Sequence, residues 1–330
     1  YESVVFAPIP YSATTPDIRN IYKGPFDAQK TESWRYRHWL GTDGLGHDLA
    51  ASLLAGARVA ILVGVVSMSI ATVIGLLFGA LAGYFGDDGF RISRGRLVLN
   101  GAGLLAGWFY AFQVRGYVLS EAIQHRGLGV ELMKSLVLFA GIMALANGLV
   151  YFTKKIKWLK KRVGLPLDLL IMRAIEVVNS IPGLLLLLAL VAVMPKSSIL
   201  YVMVIIGLIR WQSIARFLRA ELLRIRNLNY IEAGRALGYS HRRILFGHAL
   251  PNAIGPVLIT VAFGMASAVL LESALSFLGI GIGAEGMTWG RLLAGARHHP
   301  SAWWLALFPG GAIFITVTAL NLLGEALSEE

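Results

Sequence analysis

The sequence predicts an all-α integral membrane protein, and three observations carry that prediction. Of its 330 residues, 56% are hydrophobic and only 15% are charged, whereas soluble domains carry about a quarter charged residues. Seven apolar stretches cover 56–84, 97–114, 132–152, 168–194, 199–224, 252–278 and 303–327, near the ~20 residues with which a helix crosses a bilayer. Basic residues gather in some of the intervening loops and not in others. The formal net charge of +11 therefore reads as cytoplasmic membrane flanks, not as a nucleic-acid surface. With no cysteine in the chain, a disulfide framework and a thiolate metal site are both excluded. The chain opens at Tyr1 with neither an initiator methionine nor a charged-then-apolar leader, and a segment N-terminal to it is expected to be missing.

Residues 1–55 are expected to be an irregular extracytoplasmic segment and pre-helix, since Pro8, Pro10, Pro16 and Pro25 interrupt any helical period. A glycine-punctuated turn holds Gly41, Thr42, Asp43 and Gly46, with Asp48 placed to cap the helix that follows. The region 56–96 supplies the first span and a cytoplasmic loop. Gly64, Gly75, Gly79 and Gly83 recur on or near one face of that span, a pattern that lets membrane helices approach closely. The stretch 97–166 reads as a transmembrane hairpin with a basic flank of Lys154, Lys155, Lys157, Lys160, Lys161 and Arg162. The remaining 167–330 forms the core. It includes a span interrupted by Pro182, another with Arg210 and Trp211 halfway along, and a polar loop at 225–251.

That polar loop lies between two membrane-grade apolar runs. Ile231 to Leu237 consists of good helix formers with Glu232 early and Arg235 late, and Gly238 stands where a left-handed terminator is wanted. Ser240 is placed to cap a second short helix through Phe246, with Pro251 opening the next span. Glu232-Ala233-Gly234, then Gly238, then His248-Ala249-Leu250-Pro251 resembles the coupling loop of permeases from binding-protein-dependent ABC importers, in particular the peptide and nickel branch. Gly234 replaces that pattern's third small residue and His248 its usual Ile.

Two other stretches carry the same resemblance. His38-Trp-Leu-Gly-Thr-Asp-Gly-Leu-Gly-His-Asp48 is similar to the "HxLGTDxLGRD" signature of peptide-type permeases, with His47 where Arg is usual. Ser276, Phe277, Leu278 and Gly279, followed by Thr288-Trp-Gly290 and Trp304 to Gly310, resemble the run that closes those chains. The resemblance implies an ABC importer type I permease-like helical bundle in a bacterial inner membrane. It has about seven spans here, the family's first helix absent and 97–166 inserted. It implies a second permease, two cytoplasmic ATPases and an extracytoplasmic binding protein as partners, with Glu232, Ala233, Gly234, Gly238, Leu250 and Pro251 coupling to the ATPase. The implied solute is a peptide or a related small molecule, with nickel as an alternative.

Charge asymmetry gives a check that does not use the resemblance. With the coupling loop inside, the inner loops 85–96, 153–167 and 216–248 hold sixteen Lys or Arg, and the outer loops 115–131, 195–199 and 283–303 hold five.

The chain shows no G-x-x-x-x-G-K-[ST], so ATP and magnesium are expected on partner subunits, and neither a catalytic nor a cofactor residue is expected here. His38, His47, His125, His241, His248, His298 and His299 match no metal-ligand spacing, and Asp87-Asp88 is isolated. His298 and His299 read as a solvated loop. Glu176 follows Arg173 by three residues and is expected to pair with it. The rival function is an ion-coupled secondary transporter, which would call for acidic residues at mid-membrane and two similar halves.

Overall fold

The computed structural model describes residues 7–87, 89, 91–124, 128–153, 156–194, 198–280 and 286–328. Asp88, His125, Lys154, Lys155 and Gly281, which entered the sequence reading, lie outside the described residues. Two units are distinguished, one comprising 1–84 with 170–330 and the other 85–169.

In the first unit, residues 7–48 contain two single turns, Ile18–Asn20 and Trp34–Tyr36. Helix α1, Leu49–Ala80, is capped by Asp48, whose side chain accepts from the Ala51 amide, and it continues through a wide π turn at Leu81–Phe85. Helix α1 packs most extensively on α8, Ile199–Ile225. The glycine spacing explains how. A Cβ on Gly75 would stand 2.6 Å from Cβ of Ile214, one on Gly79 2.9 Å from the Ala215 carbonyl oxygen, and one on Gly83 2.8 Å from that of Arg219. Gly207 of α8 returns the contact against Ile70. Gly64 instead faces Met265 at ordinary contact distance.

The second unit holds α2, Arg94–Trp108, extended by a π turn at Phe109–Gln113, then α3, Gly116–Gln124, α4, Leu128–Thr153, and the single turn α5, Lys157–Lys160. Helices α2 and α4 pack together, with Gly103 against Ala146 and Gly107 against Phe139. Arg115 pairs with Glu131 at 2.6 Å. Strands β1, Arg91–Ser93, and β2, Arg162–Gly164, pair antiparallel with Ile92 opposite Val163.

Helices α6, Leu167–Asn179, and α7, Gly183–Ala192, form the span expected to contain Pro182, but the chain breaks there and bends by 79°. The residue before a proline is pushed out of helical geometry, and Pro182 itself becomes the cap of α7. After α8 come α9, Asn229–Ala236, α10, His241–Ile244, and α11, Leu250–Phe277. The second loop helix was expected to stop at Phe246. Instead α10 runs through a π turn at Leu245–Ala249 straight into α11, giving one 37-residue helix, His241–Phe277. Pro251 does not interrupt it: it follows directly on that π turn, where the helix hydrogen bonds shift register and the Leu250 amide reaches back to the Leu245 carbonyl. Helices α12, Trp289–His298, and α13, Trp304–Ala326, complete the fold.

Among the described residues five helices are long and apolar enough to cross a membrane, or up to seven when each of two bent pairs, α2 with α3 and α6 with α7, is counted as one span. This is a multi-pass helical membrane bundle, in agreement with the seven apolar stretches.

Candidate coupling loop and signature segments

The coupling loop is built by local chain chemistry. The amide of Tyr239 donates to the Gly234 carbonyl and that of Gly238 to the Arg235 carbonyl, both at 3.0 Å. With Gly238 at φ +77°, this is the doubly bonded left-handed ending that satisfies the last carbonyls of a helix. Ser240 then caps α10, its hydroxyl accepting from the Arg243 amide at 3.4 Å. The ring of Tyr239 folds back with the Arg243 guanidinium 4.0 Å above it. Ile231 and Ile244 are fully buried, so the two helices are pinned by one aliphatic residue each.

Sequence expectations divide here. Glu232 and Ala233 are exposed, as are Arg235 and Ala236. Gly234 is buried, and its missing side chain would meet Tyr239 at 3.5 Å and Ile244 at 3.8 Å. Its smallness serves the fold of the loop, with Tyr239 lying over it, and the outward surface belongs to its neighbours. Leu250 is half-buried and Pro251 exposed at the start of α11. Leu237 and Phe246, 71% and 62% exposed, went unnoticed in the sequence. They lie out of phase with Ile231 and Ile244, a signal that two short helices make hard to read.

The 38–48 signature forms a polar knot before α1. His38 is fully buried, with Nδ1 2.8 Å from Asp48 and Nε2 3.4 Å from Asp17, and Tyr11 stacked on its ring at 4.2 Å. Asp48 thus both caps α1 and holds His38. Thr42 is fully buried; its hydroxyl accepts from the Lys23 amide and donates to the Asn20 carbonyl. Asp43 accepts from the amides of Leu45 and His47 and lies 2.9 Å from His47 Nδ1. Gly41 and Gly46 have φ +89° and +83°, and a side chain on Gly46 would strike the Asp17 backbone. Burial alone would raise Asp17, but hydrogen bonds from Asn20, the Arg19 amide and His38 outweigh it and hold the carboxyl below its ordinary value. Burial first, then the charges of Asp17 and Asp48, raises Tyr11.

At the closing signature, Ser276 donates to Glu272 at 2.6 Å inside the bundle. After Leu278, the amides of Gly279 and Ile280 donate to the Ser276 and Leu275 carbonyls and end α11 in the same doubly bonded fashion as α9, with Gly279 at φ +78°. The Arg297 guanidinium lies 5.2 Å from the Phe277 ring. Trp289 donates to the Leu53 carbonyl at 2.9 Å. Arg173 and Glu176 pair at 2.6 Å. His298 and His299 are exposed, as expected of a solvated loop, and His299 also stacks on Tyr22 at 4.3 Å. Among the described residues no group of three His, Asp or Glu is placed to hold a metal ion.

A predominantly helical multi-pass bundle with a polar two-helix loop between two of its longest spans is an arrangement that suits a membrane transport component. Residues 158–329 match the family of binding-protein-dependent transport system inner membrane components, and the chain belongs to it. It is a permease subunit of an ABC importer, and such permeases work with ATPase and substrate-binding partners. Among similar proteins are a putative peptide permease protein of Brucella suis biovar 1, 27% identical over 97% of this chain and 78% of its own length, and the oligopeptide transport system permease protein OppC of Bacillus subtilis, 26% identical over 98% and 79%. The dipeptide transport system permease protein DppC of Alkalihalophilus pseudofirmus is 25% identical over 98% and 79%.

Proposed function

We propose that this chain forms half of the membrane pathway for a peptide-type solute, with a second permease, two ATPases that bind ATP and magnesium, and an extracytoplasmic binding protein completing the importer. Peptide is favoured over nickel because the relatives described above are named for peptide transport. The observation that carries the coupling role is the exposed strip Glu232, Ala233, Arg235, Ala236 and Leu237 on a helix held rigid by its own capping. Small and apolar residues there allow close backbone approach to a cleft in an ATPase, and Gly238, Leu250 and Pro251 fix the path of the chain on either side. Gly234 contributes from beneath by admitting Tyr239. ATP-driven closure of the ATPases would rock this loop and, through the 37-residue helix His241–Phe277, move the wall of the pathway.

The region 97–166 is, in this reading, a hairpin added to the family's core. Its two helices pack on each other through Gly103 and Gly107.

The decisive experiment is uptake of a labelled tripeptide into proteoliposomes holding both permeases and both ATPases, with binding protein outside. Uptake is expected to require ATP inside and to survive a proton ionophore. Uptake that persists without ATPases and collapses with the ionophore would identify an ion-coupled carrier instead.

A further inference from the structure

Two cavities of about 350 and 390 Å³ share Arg210 and Ser213 in their walls. The first lies between α8 and α11 with Met68 of α1, the second between α7, α8 and the break at Pro182. Each falls in the size range of small-ligand sites. Arg210 is the twelfth of 27 residues in α8, about 16 Å along a helix that must cross about 30 Å of hydrocarbon. A charge at that depth is costly unless something compensates it.

Nothing among the described residues of the unit does so. Among the described residues no hydrogen bond or ion pair reaches the Arg210 guanidinium. The acids on neighbouring helices are engaged elsewhere, Glu176 by Arg173 and Glu272 by Ser276 and Ser273. The polar groups that line the cavities beside Arg210 are neutral, namely Asn179, Gln212, Ser213, Thr260 and Ser267, and the rest of the lining is mainly apolar, with Met68, Phe217 and Phe263 in the first. The backbone break at Pro182 opens on the second cavity, and irregular backbone at membrane depth is tolerated where it lines such a space. The amino end of α7 borders the same cavity and adds to its positive potential.

We propose that Arg210 is a transient seat for the carboxylate of the transported solute, and hence that the pathway favours peptides with a free C-terminal carboxylate. A planar guanidinium that borders both cavities can accept a carboxylate from one and release it to the other, with hydroxyls and amides taking over the solute's neutral groups. This rests on the importer reading above.

The test uses the complete transporter in proteoliposomes, with alanyl-alanyl-alanine and its C-terminal amide as probes, each at concentrations that saturate the binding protein. Arg210→Gln is expected to slow uptake of the free acid by about ten- to a hundred-fold, the loss of one charge-assisted hydrogen-bonded pair, and to change the amide by less than about three-fold. Arg210→Lys keeps the charge without the planar fork and is expected to retain most of the preference, which gives a reading even if the Gln variant does not insert. Equal slowing of both probes, or wild-type rates for both in the two variants, would overturn the assignment. So would loss of the second permease from the purified complex, since Arg210 would then be paired with a carboxylate of that subunit. Absence of ATP-dependent uptake in the wild type would count against the importer reading, not against Arg210.

Discussion

The hydroxyl of Tyr84 lies 3.2 Å from Nδ1 of His241, joining the end of α1 to the start of α10. The two residues are 157 positions apart, and the contact fastens the coupling loop to the foot of the helix that packs most extensively on α8. On the proposed coupling role, a push on the loop would be delivered to α1 as well as to α11.

Tyr84→Phe removes that contact and leaves the ring in place. Since one such hydrogen bond is worth about 0.5–1.5 kcal/mol, the variant should insert normally. Transport per ATP hydrolysed is expected to fall by a few-fold. Equal stoichiometry in wild type and variant would show that the loop acts through α11 alone.

Gly79 tests the α1–α8 contact. Adding a side chain there drives a carbon to 2.9 Å from both the Ala215 carbonyl oxygen and Leu218 Cβ, so Gly79→Val should destabilise the bundle by about 1–3 kcal/mol and lower its thermal midpoint in detergent. Gly101 on α2 has open space around it, and Gly101→Ala is expected to leave that midpoint unchanged.

The coupling surface is tested by separating outward from inward positions. Ala233→Trp enlarges an exposed residue and is expected to abolish capture of the ATPase while the permease stays folded. Gly238→Val forces a β-branched residue into the left-handed region and Gly234→Leu displaces Tyr239, so both should lower the permease's own stability. Normal ATPase capture by Ala233→Trp would move the contact elsewhere.

The polar knot before α1 should be sensitive to acid. The folded carboxyl of Asp17 titrates below its ordinary 3.8, so its contribution is fully present above the unfolded value and is lost as pH falls through the folded one. Limited proteolysis of residues 18–37 is expected to be constant down to about pH 4 and to accelerate below it. Asp17→Asn should flatten that dependence. An unchanged acid response in this variant would assign it to other groups. Asp48→Ala, which removes both a helix cap and the partner of His38, should cost about 1–2 kcal/mol.

The hairpin reading is tested by labelling. A cysteine at Glu121 is expected to react with an impermeant reagent from outside and one at Lys160 only from inside. Labelling of both from the same side would remove the hairpin.

How far the sequence could be read depended on the range of the forces involved. The spans were legible because burial in lipid imposes about 20 apolar residues regardless of tertiary context. Gly238 was legible because a left-handed residue ending a helix is a local requirement. The inward orientation of Gly234 was not, since an eight-residue helix carries too few turns to fix which face is buried. Nor was the break at Pro182 distinguishable from a tolerated kink, as that depends on what packs around the freed backbone. The cavities around Arg210 are formed by α1, α6, α7, α8 and α11, brought together from across the chain, so composition could mark the arginine as costly without showing what it faces.

The indole of Trp304 donates to the Thr42 carbonyl at 3.0 Å, and Gly24 and Gly41 are shaped around the same ring. This imposes an order on biosynthesis. The residues preceding α1 are made before α13, and the aromatic wedge that locks them is synthesised 262 residues later. At 5–20 residues per second that is a wait of about 13–50 s. Until α13 has been inserted, the polar knot has no lid on that side, and its glycine turns are open to proteases. A nascent chain stalled before α13 should therefore be cleaved first within the segment that precedes α1.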